Sequence, residues 1–149
     1  MATGADTSAS TEQVARSYFE CVTNRDVAGM MDHWTPGGHG HIVGTAELTA
    51  PDTYSAWFNS LFAAFPDFTF RVESITAEDD RAAVHWFATG TFDGTGTFEG
   101  MVPNGAAVDT SGIDLLQIKD GKLVELWAYL NGMEPVSYTH LTLPTIYSV

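Results

Sequence analysis

The chain has 149 residues, 44% hydrophobic and 12% aromatic, which excludes a disordered polymer and suits one domain with a packed core. Six Lys plus Arg against 19 Asp plus Glu leave a net charge of −13; that balance excludes nucleic acid and anionic membrane as partners, because both need clustered basic residues. A single cysteine, Cys21, rules out an intramolecular disulfide, no apolar run approaches the ~18 residues of a membrane span, and the opening MATGADTSAS lacks a signal peptide's basic and apolar regions, so a cytoplasmic location is expected.

Residues 1–10 read as a disordered N-terminal tail. Ser10-Thr11-Glu12-Gln13 has the form of a capping box, with Ser10 at the N-cap and Gln13 reaching back. Val14, Tyr18, Cys21 and Val22 then share one face of a first helix to about Asn24. Asp26 opens a short second helix, Val27 to Trp34, which Pro36-Gly37-Gly38 ends. A strand follows over His39 to Val43. Thr49 caps a third helix with Pro51 in its first turn, and Tyr54, Trp57, Phe58, Leu61, Phe62 and Phe65 form its apolar stripe.

After Pro66-Asp67 the pattern changes to strands. Phe68, Phe70 and Val72 alternate, Glu78 to Arg81 makes a turn, and Val84, Trp86 and Ala88 alternate again. The segment GTFDGTGTFEG has neither the spacing nor the Lys of a phosphate loop and reads as strand and turn. SGIDLLQIKDGKLVELWAYL is a hairpin hinged on Asp120-Gly121, a strong two-residue turn signal. Helices followed by a long antiparallel meander predict an α+β fold, a curved sheet with helices on one face. The domain is expected over 11–135. Residues 136–149, beginning VSYTHLTLPT, look like translated adapter read-through and carry no functional weight, His140 included.

Asp114 stands between Ile113 and Leu115 in the first strand of that hairpin, where an unpaired buried carboxylate is costly. It therefore faces water, has a satisfied structural partner, or works in a cavity as an acid or base with a raised pKa. Gly112, Leu116 and Ile118 share its face. A tight hairpin puts Glu125 and Trp127 on that face; a bulge puts Leu126 and Ala128 there instead. In GGHGHIVG, His39 and His41 share a strand face. They suit a base with its neighbour, a rim position or metal ligation, though no third ligand is placed by spacing. A cupin-type pattern fails because Glu47 comes too late. His85 reads as a cross-strand or interface residue, and His33 as a partner of a helix dipole. There is no GxSxG nucleophile motif.

The order of SYFECVTNRDVAGMMDHWTP, LFAAFPDFTFRVE, RAAVHWFATGTF, FEGMVPNG and SGIDLLQIKDGKLVELW resembles the SnoaL-like polyketide cyclases. These belong to the nuclear transport factor 2-like superfamily, with ketosteroid isomerases and limonene epoxide hydrolases. The resemblance spans about residues 11–133. It implies a cone of curved antiparallel sheet closed by three N-terminal helices, an apolar cavity and a homodimer across the outer sheet face. It also implies chemistry without cofactor or metal: a proton is removed alpha to a carbonyl and the enolate is stabilised. The cyclases' acid/base aspartate falls at Ala128, as does the epoxide hydrolase aspartate; a pocket histidine falls at Asp114 and a pocket glutamine at Gly112. That alignment favours the bulged hairpin. The isomerase base falls near His41 or Ile42.

The expected function is thus a cofactor-independent cyclase or isomerase acting on an apolar, polyketide-like carbonyl compound. Asp114 and His41 form the proton-handling pair, with His39 auxiliary. Tyr18, Trp34, Trp57, Phe58, Leu116, Leu126 and Ala128 bind the substrate. A non-catalytic small-molecule-binding domain and an epoxide hydrolase are the alternatives.

Overall fold

A computed structural model describes residues 4–131. Three helices precede or interrupt six strands: α1 (Gly4–Thr23), α2 (Val27–Asp32), β1 (Trp34–Ile42), β2 (Ala46–Thr49), α3 (Asp52–Ala64), β3 (Thr69–Glu78), β4 (Arg81–Phe92), β5 (Ala106–Lys119) and β6 (Lys122–Leu130). The strands form one sheet in the order β2-β1-β6-β5-β4-β3. The α+β cone expected from the sequence is present, with one difference. β1 runs parallel to β6, while every other neighbouring pair is antiparallel. β1 and β6 are far apart in the chain, so no hairpin dictates their direction.

Other boundaries move. α1 begins at Gly4, so residues 4–10 are helix rather than tail, and Ser10 is an interior residue rather than an N-cap. Ser8 Oγ accepts from the Asp79 amide and Thr11 Oγ1 donates to the Asp79 carbonyl; these bonds dock the first turns on the β3–β4 turn. The Asp26 cap holds, its carboxylate accepting from the Gly29 amide. α2 ends at Asp32, however, and Trp34 opens β1. The Pro-Gly-Gly segment lies within that strand, at a break in its register with β6. β2, with no alternation long enough to declare itself, pairs with β1 as a short edge strand. Residues 136–149 lie outside the described residues.

Two clusters fill the interior. In the cone, the Phe19 ring of α1 stacks on Phe70 at 5.8 Å, and Phe70 stacks on Trp86 at 5.1 Å, tying helix to sheet through flat apolar faces. Around the α3 C-terminus and the β4–β5 connection, Leu61, Phe62, Phe65, Phe92, Phe98 and Val108 form a second cluster. The α3 C-terminus is closed there. Arg25 donates to the carbonyls of Phe62, Phe65 and Phe68, while the Gly94 and Thr95 amides donate to those of Ala64 and Ala63. Carbonyls that a helix end leaves unpaired are thereby satisfied. Among the described residues no helix is long and apolar enough to cross a membrane.

Candidate active site in the cone

The parity of the last hairpin decides which residues meet Asp114. Lys119 faces Lys122 and Ile118 faces Leu123, but Gln117 faces Glu125, so β6 carries one extra residue, Val124. Beyond this bulge Asp114 pairs with Ala128 and Leu116 with Leu126. The bulge turns Leu126 and Ala128 inward and leaves Glu125, Trp127 and Tyr129 on the outer face.

Asp114 is 7% exposed and lines an apolar cavity with Tyr18, Tyr54, Trp57, Phe58, Trp86, Leu126 and Ala128, among others. Among the described residues its carboxylate accepts one side-chain hydrogen bond, from Trp86 Nε1 to Oδ1 at 2.9 Å. Burial pushes its pKa up to about 7, and the Trp86 hydrogen bond only partly opposes that. The loss of hydration outweighs the bond because one N–H replaces several waters. At neutral pH the carboxyl therefore exchanges readily between acid and base forms, the condition for moving a proton in either direction.

A second polar group lies in the same wall. The hydroxyls of Tyr18 and Tyr54 are 2.6 Å apart and buried. Burial raises both phenol pKa values, and the nearby Asp114 charge raises them further, so both remain neutral donors. One hydroxyl proton is used within the pair; the other is free for a further acceptor. Trp34 Nε1 is buried beside the Tyr18 hydroxyl, whose pKa it lowers against the larger effect of burial. The ring of Trp34 packs on Tyr54 at 4.9 Å.

Two glycines make this arrangement possible. A Cβ at Gly40 would lie 2.5 Å from the Tyr54 ring, and one at Gly112 would lie 2.6 Å from both Trp86 Cζ2 and the Tyr129 carbonyl oxygen. Gly40 thus lets Tyr54 reach Tyr18, and Gly112 lets Trp86 lie across β5 with its N–H toward Asp114.

The two histidines are elsewhere. β1 alternates so that Gly38, Gly40 and Ile42 are buried; Ile42 lines the cavity, and His39 and His41 project from the opposite face. His41 Nδ1 lies 2.8 Å from Glu47 Oε1 and Nε2 lies 2.7 Å from Glu125 Oε2. The ring stacks on Trp127. The hydrogen bonds to Glu125 and then Glu47 raise its pKa, and with a carboxylate oxygen at each ring nitrogen the imidazole clamps β2, β1 and β6 together. The expected Asp114–His41 pair, with His39 auxiliary, is therefore not assembled: the pleat places the imidazoles and the carboxylate on opposite sides of the sheet. No cluster of three metal-binding side chains occurs among the described residues.

His33 is spent structurally, with Nδ1 donating to the Gly29 carbonyl and Nε2 accepting from Ser17 Oγ. His85 sits on the outer face against Phe87. Of the expected walls, Tyr18, Trp57, Phe58, Leu126 and Ala128 line the cavity. Trp34 and Leu116 are buried in the cone but do not line it. Tyr54 and Trp86, the partners that give the site its polarity, were missed as site residues. No local signal marks Trp86, because the β4–β5 register that sets it opposite Gly112 joins residues remote in the chain.

A family model described as SnoaL-like polyketide cyclase matches residues 12–137. Among solved structures the chain is similar to AclR, a proposed hydroxylase from Streptomyces galilaeus, with 29% identity, a TM-score of 0.71, and coverage of 90% of this chain and 85% of that one. It shares its fold with a proposed SnoaL-like polyketide cyclase from Jannaschia sp. CCS1, at 22% identity and a TM-score of 0.74, covering 91% of each chain. The fold is also that of IdmH, a proposed polyketide cyclase from Streptomyces antibioticus, at 20% identity and a TM-score of 0.68, covering 93% of this chain and 99% of that one. No curated protein matches the chain by sequence.

Proposed function

We propose, from the premise that the chain belongs to the SnoaL-like polyketide cyclase family, that it closes or isomerises an apolar carbonyl compound by acid–base chemistry at Asp114, without a cofactor. The observation that carries this reading is a cavity with one carboxylate among its described lining residues, buried and with a pKa of about 7. Ala128, where the resemblance places the family's aspartate, is the Cα partner of Asp114. Side chains directly opposite are about 5 Å apart at Cβ, so the carboxylate has crossed to the neighbouring strand while staying in the same layer of the cavity.

The step is an intramolecular aldol closure. The Asp114 carboxylate takes a proton alpha to one carbonyl, and the enolate oxygen accepts from the free hydroxyl of the Tyr18–Tyr54 pair. The enolate carbon forms a bond to a second carbonyl carbon. The alkoxide so formed takes back the proton from the Asp114 carboxylic acid. In an isomerisation the same proton returns to a different carbon. The lining is almost wholly apolar and the protein is strongly acidic, which suits a neutral substrate.

The test uses 2-tetralone, an apolar bicyclic ketone, with exchange of its alpha protons in D₂O followed by NMR. The wild type should accelerate exchange, and Asp114→Asn should lose about 10²–10⁴-fold of that acceleration, the usual worth of a positioned acid/base. Equal acceleration by a folded Asn variant would sink the reading. The absent aspartate at 128 favours a second reading, a binding domain that uses the cavity without turnover; there neither protein accelerates exchange, yet both bind the ketone.

We infer further that the outer face, where Ile113, Leu115 and Tyr129 are each more than 40% exposed, packs on a second copy of the chain. These residues lie on the two central strands β5 and β6, and large exposed side chains in one patch mark an interface.

A further inference from the structure

The cavity measures about 50 Å³. A water needs roughly 10–15 Å³ by this measure, an engineered cavity that binds benzene has about 150 Å³, and ligand sites generally run from about 300 Å³ upward. That volume has room for a few waters but not for a ring, so a ligand must displace part of the wall. Most of the lining is fixed: Tyr18, Tyr54, Leu61, Phe70, Trp86, Leu126 and their sheet or helix backbones are buried. The partly exposed lining side chains, which mark the mouth, include Trp57 and Phe58 on α3 together with Phe68 and Leu130.

Among these, Trp57 is held from outside. Its Nε1 donates to Glu99 Oε1 at 2.6 Å, and its ring meets Phe98 edge-on at 5.2 Å. Phe98 is 2% exposed and anchors the β4–β5 connection in the second cluster. Glu99 occupies the tip of a tight turn closed by reciprocal Phe98–Met101 backbone bonds, at φ +51°, followed by Gly100 at φ +78°. α3 itself is fastened at its C-terminus by Arg25 and by the amides of Gly94 and Thr95. Opening is thus easier through the Trp57 side chain than through movement of the helix.

We infer that Trp57, latched by Glu99, is the specificity-determining gate of the cavity. Its release admits the substrate, and its indole sets the largest ring system that can stay bound. The inference rests on the proposed function only in taking the cone as the ligand site; it does not require Asp114 to be catalytic.

Glu99→Ala and Trp57→Phe delete the same hydrogen bond, and Trp57→Phe keeps most of the packing. In stopped-flow binding of 2-tetralone, each should raise the association rate roughly fivefold, the factor for one side-chain hydrogen bond of ordinary net strength lost from the closed state. The double variant should be no faster than either single one. Trp57→Ala should tighten binding of the four-ring ketone 1-acetylpyrene far more than that of 2-tetralone. Unchanged rates in Glu99→Ala and Trp57→Phe, or an unchanged size preference in Trp57→Ala, would overturn the gate and leave the proposed function standing. Absence of binding of either ketone by every protein would overturn both.

Discussion

Replacing Asp114 by Asn should make the protein's stability less dependent on pH, with no substrate needed to see it. Burial raises the Asp114 pKa from 3.8 to about 7. The folded state therefore holds this proton more tightly than the unfolded chain. The stability it contributes is fully present below about pH 4 and is lost as pH rises through 7. A shift of about three units corresponds to about 4 kcal/mol in all. Between pH 5.5 and 8.5 the unfolded carboxyl is already ionised while the folded one gives up its proton, so about 2 kcal/mol of that loss falls in this range. Asn keeps the acceptor for Trp86 Nε1 and cannot ionise. Urea unfolding at several pH values, wild type against Asp114→Asn, isolates this residue. The raised pKa of His41 also makes stability fall with rising pH, but it is present in both proteins and cancels in the difference. If the two proteins lose stability in parallel from pH 5.5 to 8.5, the carboxyl is hydrated and Asp114 is not the desolvated acid/base of the cavity.

Trp86→Phe removes the hydrogen bond that partly lowers the Asp114 pKa, so a carboxyl NMR titration should move upward; a downward move would contradict the assigned balance of burial and bonding. Gly112→Ala puts a methyl against the Tyr129 carbonyl oxygen, a backbone atom that cannot step aside, and should cost about 1–3 kcal/mol as overpacking, measured by denaturant midpoint. Arg25→Met keeps a long apolar stem near Phe62 but strips the donors from three carbonyls; thermal unfolding should show a loss of about 1–3 kcal/mol. Leu115→Glu on the outer face should turn a dimer into a monomer in sedimentation at micromolar concentration, and a wild type already monomeric there would refute the proposed interface.

Much of the architecture was legible because local rules and global fold agree. The α3 stripe, the Asp26 cap and the Asp120-Gly121 turn all occupy the predicted places. The start of α1 departs from the capping-box expectation at Ser10 because docking on Asp79 holds the preceding segment helical. Trp34 opens β1 rather than ending α2, a boundary that apolar periodicity cannot mark because it does not distinguish the last helical residue from the first of a strand.

The site divides along the same line. Asp114 stood out in the sequence by itself, since a carboxylate between two branched apolar residues of a strand has few inexpensive explanations. His41 was placed beside it by resemblance in chain position, but one residue's offset along a pleated strand reverses the face, and only the register of β1 against β2 and β6 reveals that Ile42 looks inward. The bulge at Val124, the approach of Tyr54 over Gly40 and the lie of Trp86 over Gly112 are long-range facts. The sequence by itself determined the fold class and the unusual carboxylate, because these follow from periodicity, turn chemistry and the cost of burying charge, while the family follows from the resemblance of its ordered motifs. Tertiary structure decided which side chains share a cavity with that carboxylate, because strand register and the close approach of rings to glycine backbones depend on neighbours remote in the chain.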